Sequence, residues 1–342
     1  MEYYGVRGVA LEWFKNYPCK RKQFTYVNDT YSDEMEVLNG VPQGSVLGPL
    51  LFLIYVNDLS SCNIPGKLRL FADDTNIFIS GKSVLEVTQM ANTSLQCIYK
   101  WFSLNKLTVN LSKTCYSIFG NNENPDVPIS IGDTEISKVD FTKYLGISLD
   151  YKLNWENHIN DVCKTLKKLT CVMHYLSQFI DDSHAHIVYN SYIFPHIKYG
   201  IELYGTAKKT RLRKVQIMQN RLVKILYKRS YMDSSKALLK EKNILNCKSL
   251  NQYFTLVFVY KQQNNLLPNI FQHFYQPISD THSYETRQQG NLQMKSFRTD
   301  CGQTSISYYG AKLWNLLPVE IRHSSSLNIF KKRCRKFIAE LQ

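Results

Sequence analysis

Phe71-Ala72-Asp73-Asp74 lies between Leu68-Arg69-Leu70 and Thr75-Asn76-Ile77-Phe78-Ile79. Two adjacent carboxylates between apolar runs predict a tight turn joining two strands, with the acidic groups at its tip. Carboxylate oxygens on a short turn are hard donors of the kind that Mg²⁺ prefers. About 30 residues upstream, Gly40-Val41-Pro42-Gln43-Gly44-Ser45 reads as a stiff glycine-proline turn that opens a helix. Small side chains there let the backbone come close to a bulky partner.

Working outward, 342 residues exceed the roughly 250–300 that one hydrophobic core serves, which predicts two or three lobes. Hydrophobic content of 44% with 20% charged residues excludes a disordered chain. The longest strongly apolar run, Pro49 to Val56, is far short of a bilayer span, and the amino terminus reads as no secretory signal. Nine cysteines without a C-x-x-C pair read as buried thiols in a reducing compartment. His184 and His186 have no neighbours that complete a metal site.

Charge is unevenly placed. Residues 1–159 hold 14 basic and 17 acidic residues, 160–248 hold 17 and 6, and 249–342 hold 11 and 5. The net +14 therefore sits in the second half, as expected of a surface that follows phosphates. Lysines that merely solubilise helices would give the same count. Lys164, Lys167, Lys168, Arg211, Arg213, Lys214, Arg221, Lys224 and Lys228 are the candidate backbone contacts.

Periodicity predicts a short helix over 6–17, strands at 23–27 and 34–38, and a mostly apolar helix from Ser45 to about Asp58. Ser83-Val84-Leu85-Glu86 is a capping box opening a helix to about Phe102, with Leu85, Met90, Leu95, Ile98 and Phe102 as its buried face. Short strands at 115–119 and near 143–149 are expected to extend the sheet. From Trp155 the pattern turns helical. Residues 262–305 read as an irregular connector, and a corner at Leu316-Leu317-Pro318 precedes a basic final helix.

Several blocks together resemble the distal part of a reverse transcriptase from a non-LTR, LINE-type retrotransposon of the jockey-like group. Tyr4-Gly5-Val6-Arg7-Gly8 with Leu11-Glu12-Trp13-Phe14 resembles the connector between fingers and palm. Gly40 to Pro49 is similar to the template-contacting motif, and Phe71-Ala72-Asp73-Asp74 to the metal-binding box. Asn110-Leu111-Ser112-Lys113-Thr114 resembles the lysine motif, and Tyr144-Leu145-Gly146 the primer-gripping hairpin. Gln219-Asn220-Arg221 and Leu313-Trp314-Asn315-Leu316-Leu317-Pro318 resemble the tail of such elements.

The resemblance implies an α+β fold: a partial right-hand polymerase palm (a ferredoxin-like antiparallel sheet with helices), then an α-helical thumb and a C-terminal extension. The expected boundaries are 1–154, 155–250 and 251–342. It implies an RNA-directed DNA polymerase that joins a nucleotide to a primer 3′-hydroxyl, with two Mg²⁺ ions, an RNA template, a DNA primer and dNTP as partners. Asp73 would be the direct metal ligand and Asp74 its support. Gly40, Pro42, Gln43, Gly44 and Ser45 would face template and nucleotide. Lys113 reads either as a group acting on the leaving pyrophosphate or as a solvated lysine. Tyr144, Leu145 and Gly146 read as a primer grip or as a core hairpin. In the family a further metal-binding aspartate lies upstream of the tyrosine-glycine block. Of the acids before Gly40 (Glu2, Glu12, Asp29, Asp33, Glu34 and Glu36), none ends a buried apolar strand. The expectation is an N-terminally truncated module, inactive alone, or else a non-catalytic nucleic-acid-binding remnant. No membrane contact is expected. The Lys331–Lys336 cluster reads as a solvated helix face or as a nuclear address.

Overall fold

In a computed structural model, the structure describes residues 1–38, 40–42, 44–120, 125, 127–278 and 290–342. The chain divides into two units: Met1–Cys115 with Glu123–Ser137, and Tyr116–Asn122 with Lys138–Gln342.

In the first unit, helix α1 (Gly8–Asn16) stops just before Pro18, which cannot supply the amide that a longer helix needs. Strands β1 (Arg21–Gln23) and β4 (Met35–Val37) pair antiparallel around the small hairpin of β2 (Tyr26–Val27) and β3 (Thr30–Tyr31). The apolar helix α2 is Gly48–Val56, three residues later than the sequence suggests. Ser45 stays outside it, donating its hydroxyl to Pro42 O at 2.8 Å and accepting from the Gly48 N–H at 3.0 Å. A side chain at Gly48 would sit 2.9 Å from that hydroxyl, so the turn closes only around glycine. Helix α2 is apolar on every side, yet Leu50, Leu53 and Tyr55 stand open.

Strands β5 (Lys67–Phe71) and β6 (Asp74–Phe78) form the expected hairpin, in register from Lys67↔Phe78 to Phe71↔Asp74. Helix α3 (Val84–Leu104) starts where the capping box predicts. Ser83 accepts from the Glu86 N–H, but the Glu86 carboxylate reaches back to the Lys82 N–H instead of that of Ser83. Its buried face is Thr88, Ala91, Ser94 and Ile98, with Leu85 open to solvent. Of the expected face only Ile98 is buried.

Short strands follow: β7 (Cys115–Tyr116), β8 (Ser130–Ile131), β9 (Thr134–Glu135) and β10 (Ser137–Lys138). The hairpin of β11 (Phe141–Tyr144) and β12 (Ile147–Asp150) belongs to the second unit. Among the described residues every ladder joins only two strands. Strand β7 pairs with β10 and β11 with β12, each in a ladder of its own. What stands is a mixed α+β chain.

The second unit holds the large core. Helices α4 (Glu156–Ser177) and α8 (Lys209–Leu226) pack together through Val162, Leu166, Met173, Val215, Leu222 and Leu226. Between them run α5 (Asp182–Val188), a π-helical turn at Tyr189–Ile193, α6 (Phe194–Lys198) and α7 (Ile201–Tyr204). Then come α9 (Ser235–Glu241), α10 (Cys247–Gln263), α11 (Asp300–Thr304), α12 (Ile306–Leu316), α13 (Val319–Arg322) and α14 (Leu327–Leu341). Helix α10 is the axis, packing on α12 and α14. The predicted corner is present: α12 ends at Leu316, and Pro318 precedes α13. Of the predicted connector, 279–289 lie outside the described residues, and the parts on either side meet in a Pro277↔Leu292 bridge.

Only Cys247 and Cys334 are fully buried, and four of the other seven are exposed, which corrects the reading of nine buried thiols. Burial pushes the Cys334 thiol up to about 12, which keeps it protonated and inert.

His158, buried in α4, has no hydrogen-bond partner for Nε2 among the described residues, and its ring meets Tyr204 edge-on at 4.9 Å. Burial lowers its pKa; Lys143 adds to this and Asp161 opposes it. An unfolded histidine titrates near ~6.5, so this contribution to stability is complete above that pH and is lost as pH falls through the depressed folded value. Thermal melts should therefore show a lower Tm at pH 5.5 than at 7.5. The difference should shrink in His158→Gln; an unchanged difference would assign it to other groups.

Candidate active site

Asp73 and Asp74 do not share the hairpin tip equally. The register pairs Phe71 with Asp74, so the turn consists of Ala72 and Asp73, and Asp74 is the first residue of β6. Ala72 takes φ 51°, a backbone conformation usually left to glycine and costing about 1–3 kcal/mol where other residues adopt it. This turn makes the hairpin short enough to put Asp73 at its extreme end. Both carboxylates are exposed, and among the described residues neither has an ion pair or side-chain hydrogen bond. Unpaired carboxylates at the end of a two-stranded support leave their oxygens available to a cation.

The glycine turn is held from below. The Arg21 guanidinium donates to Gly40 O at 2.7 Å, joining β1 to the turn. Gly40 and Gly44 have φ of 86° and 77°, which supports the reading of a glycine-dependent bend. Pro42 and Ser45 lie on it as described above, while Gln43 lies outside the described residues. Lys113 ends a 3-10 turn, Leu111–Lys113, and is exposed. It makes no ion pair with either aspartate.

In the second unit, Leu145 and Gly146 form the hairpin turn between β11, which ends at Tyr144, and β12. Leu145 and Gly146 both have positive φ, of 46° and 82°. That is the signature of a type I′ turn, whose twist suits a two-residue hairpin. The Tyr199 hydroxyl donates to Leu145 O, and its ring would lie 3.3 Å from a Cβ at Gly146. The turn is thus clamped by a residue the sequence reading missed. Nothing local marks Tyr199, whose role arises from a long-range contact.

Asp150, at the end of β12, is the second missed residue. Its carboxylate accepts from the Lys152, Asn154 and Trp155 amides at 2.9–3.2 Å. These bonds fold the link between hairpin and α4, at whose start Trp155 takes φ 66°.

The basic candidates separate into two groups. Arg211 and Lys214 both pair with Glu156, at 3.4 and 3.6 Å, and Lys214 also donates to Asn160. Lys224 donates to Tyr231 O and lies 5.5 Å above that ring. Lys164, Lys167, Lys168, Arg213, Arg221 and Lys228 are exposed and, among the described residues, outside any ion pair. Lys164, Lys167 and Lys168 share one face of α4 by their spacing. In α14, Phe330, Cys334 and Ile338 are buried, and Arg333 and Arg335 donate to the Glu320 and Asn243 carbonyls. Lys332, Arg333 and Lys336 are thus on the exposed side of a helix that packs through Cys334.

Comparison with known proteins gives the class. Residues 8–149 match the family described as reverse transcriptase (RNA-dependent DNA polymerase). That segment is thus similar to reverse transcriptase domains, and the relatives the chain resembles are named as RNA-directed DNA polymerases of mobile elements. The RNA-directed DNA polymerase from mobile element jockey of Drosophila melanogaster is 28% identical over 202 residues, covering 56% of this chain and 22% of its own length. From the same organism, the probable RNA-directed DNA polymerase from transposon BS is 28% identical over 255 residues, 71% of this chain and 27% of the relative. The one from transposon X-element is 26% identical over 219 residues, 62% and 24%. The chain therefore spans about a quarter of the length of the curated relatives it matches. Among the described residues no helix is long and apolar enough to cross a membrane.

Proposed function

We propose that the chain is the polymerase part of a retrotransposon reverse transcriptase, arranged to receive an RNA template, a DNA primer and a deoxynucleotide. The observation that carries this reading is the two-residue turn at Ala72–Asp73, which presents two unpaired carboxylates on a short hairpin. Such a pair fits one Mg²⁺, an ion commonly held by one or two carboxylates with phosphate oxygens completing its shell. Bound there, Mg²⁺ would offset the charge that builds on phosphoryl oxygens during nucleotidyl transfer. Asp73 is the direct ligand in this reading and Asp74 its support. The glycine turn, with Gly40, Pro42, Gln43, Gly44 and Ser45, lets template and nucleotide approach the backbone. Lys113 is assigned to the pyrophosphate and Tyr144-Leu145-Gly146 to the primer. The expected division is a fingers and palm part over 1–154, a thumb over 155–250 and an extension over 251–342.

A second ion needs further donors. Among the described residues no cluster of three or more His, Cys, Asp or Glu side chains is found. We infer that the 342-residue polypeptide alone does not polymerise and acts as a nucleic-acid-binding module. In a primer-extension assay with Mg²⁺, primed RNA and dNTP, incorporation should not exceed that of Asp73→Ala. Robust synthesis lost in Asp73→Ala would overturn the inference of inactivity and support the metal site. Synthesis retained in that variant would remove Asp73 from the site.

A further inference from the structure

A cavity of about 650 Å³ opens in the second unit, between the start of α8, the segment leading into α10, and the C-terminal helices. Four cations line it: Lys209, Arg213, Lys236 and Lys248. No Asp or Glu side chain does. All four are exposed, and among the described residues none takes part in an ion pair. Arg211 and Lys214, on the same helix, by contrast share the Glu156 carboxylate. Like charges gathered around one hollow without a counterion repel one another, and an anion entering it relieves that repulsion.

The walls have a second character. Leu212, Leu239 and the half-buried ring of Tyr309 give the hollow an apolar lining. The frame is fixed by side-chain amides already in use. Gln216 Oε1 accepts from the Cys247 N–H at 2.7 Å, and Gln342 Oε1 from the Asn246 N–H at 2.9 Å. These bonds tie α8 and the end of α14 to the start of α10, so the walls are formed before any ligand arrives. Cations beside an apolar, aromatic surface match a ligand with an anionic backbone and flat, apolar-faced groups. Single-stranded nucleic acid has that chemistry. A duplex does not, because the flat faces of its bases are stacked inside and only their edges, with sugars and phosphates, face outward. The volume lies within the range of roughly 300–1,000 Å³ typical of ligand pockets, enough for a nucleotide and part of its neighbour.

We propose that this cavity binds single-stranded nucleic acid, its phosphates on Lys209, Arg213, Lys236 and Lys248 and a base against Leu212, Leu239 and Tyr309. The proposal takes from the polymerase reading only the class of partner. It would give the cavity wall around the start of α8 a task distinct from the exposed lysines of α4, with the C-terminal helices supplying Tyr309 and Gln342.

The test is fluorescence anisotropy on the full chain, with a ten-nucleotide RNA, the matching DNA, an abasic strand of equal charge, and an RNA–DNA hybrid. Lys209→Ala/Lys248→Ala should weaken single-strand binding about tenfold or more and reduce its salt slope by about 1.4, at ~0.7 per neutralised phosphate. Hybrid affinity should stay within about twofold. Gln303→Trp, at an exposed lining position and without a charge change, should weaken single-strand binding while leaving the melting temperature unchanged. The abasic strand should bind more weakly than the natural one. RNA bound over DNA identifies RNA as the occupant, and the reverse identifies DNA. Equal loss for single strand and hybrid, no loss for either, or an abasic strand bound as well as the natural one would overturn the proposal. Failure of the hybrid alone to bind would count against the thumb and leave this site supported.

Discussion

Phe330→Ala is expected to destabilise the second unit by about 3–5 kcal/mol, the range for an aromatic side chain deleted from a closed core. Phe330 has no solvent exposure and lies in α14, where α10 and α12 meet it. Its ring stacks on Tyr260 at 4.2 Å and 21°, and Trp314 lies 6.0 Å away on the other helix. Alanine would therefore remove the contact common to three helices. The site has little freedom to collapse, because the Tyr260 hydroxyl donates to Ser324 O at 2.7 Å, just before α14. That bond holds Tyr260 where the ring would have to move inward. Urea unfolding followed by tryptophan emission is the measurement, since Trp155 and Trp314 report the second unit and Trp13 and Trp101 the first. The midpoint of the second unit should fall with its slope unchanged, and that of the first should stay in place. A loss below about 1 kcal/mol would mean that α14 is not part of the core.

Helix existence was legible in the sequence because spacing and caps are local properties. Ser83, the cap read from the sequence, accepts from an amide three residues on, and the structure adds the same cap at Asp181, Ser234, Asn246 and Ser326. The buried face of α3 was not legible, for a specific reason. Thr88 donates to Val84 O at 2.8 Å and Ser94 to Met90 O at 2.7 Å. Hydroxyls satisfied by their own helix can be buried, while Leu85 is left outside. A hydrophobicity pattern assigns the opposite.

At the site, the hairpin and its acids could be read directly, because Phe71-Ala72-Asp73-Asp74 interrupts two apolar runs. Its register could not. Whether a two-residue or longer turn forms depends on Ala72 accepting a positive φ, which no propensity favours. The clamp by Tyr199 and the ion pairs of Glu156 are contacts between distant segments, and charge counting is blind to them. Charge counting makes nine equivalent phosphate ligands of what the structure separates into free and engaged groups.

That separation gives the second large effect. Lys164→Ala/Lys168→Ala/Arg221→Ala/Lys228→Ala is expected to weaken RNA–DNA hybrid binding by roughly 10²–10³-fold at low salt, and to lower the log–log salt slope by about 3. Each of these side chains is exposed and, among the described residues, outside any ion pair, so bringing a phosphate to it breaks no existing bond. Arg211→Ala/Lys214→Ala should do much less per residue. Both cations already face Glu156, and a phosphate would have to compete with that carboxylate or accept it as a repelling neighbour. Exposed pairs of this kind are worth only about 0–1 kcal/mol, so the competition is open, but its net gain is smaller than at an unpaired lysine. Glu156→Gln should accordingly tighten hybrid binding and steepen its salt dependence, by releasing two cations at once. Anisotropy titrations between about 50 and 200 mM salt read all three variants in one series. Equal losses for the free and the engaged groups, with no gain in Glu156→Gln, would show that duplex affinity follows total charge and that neither α4 nor α8 presents a defined phosphate track.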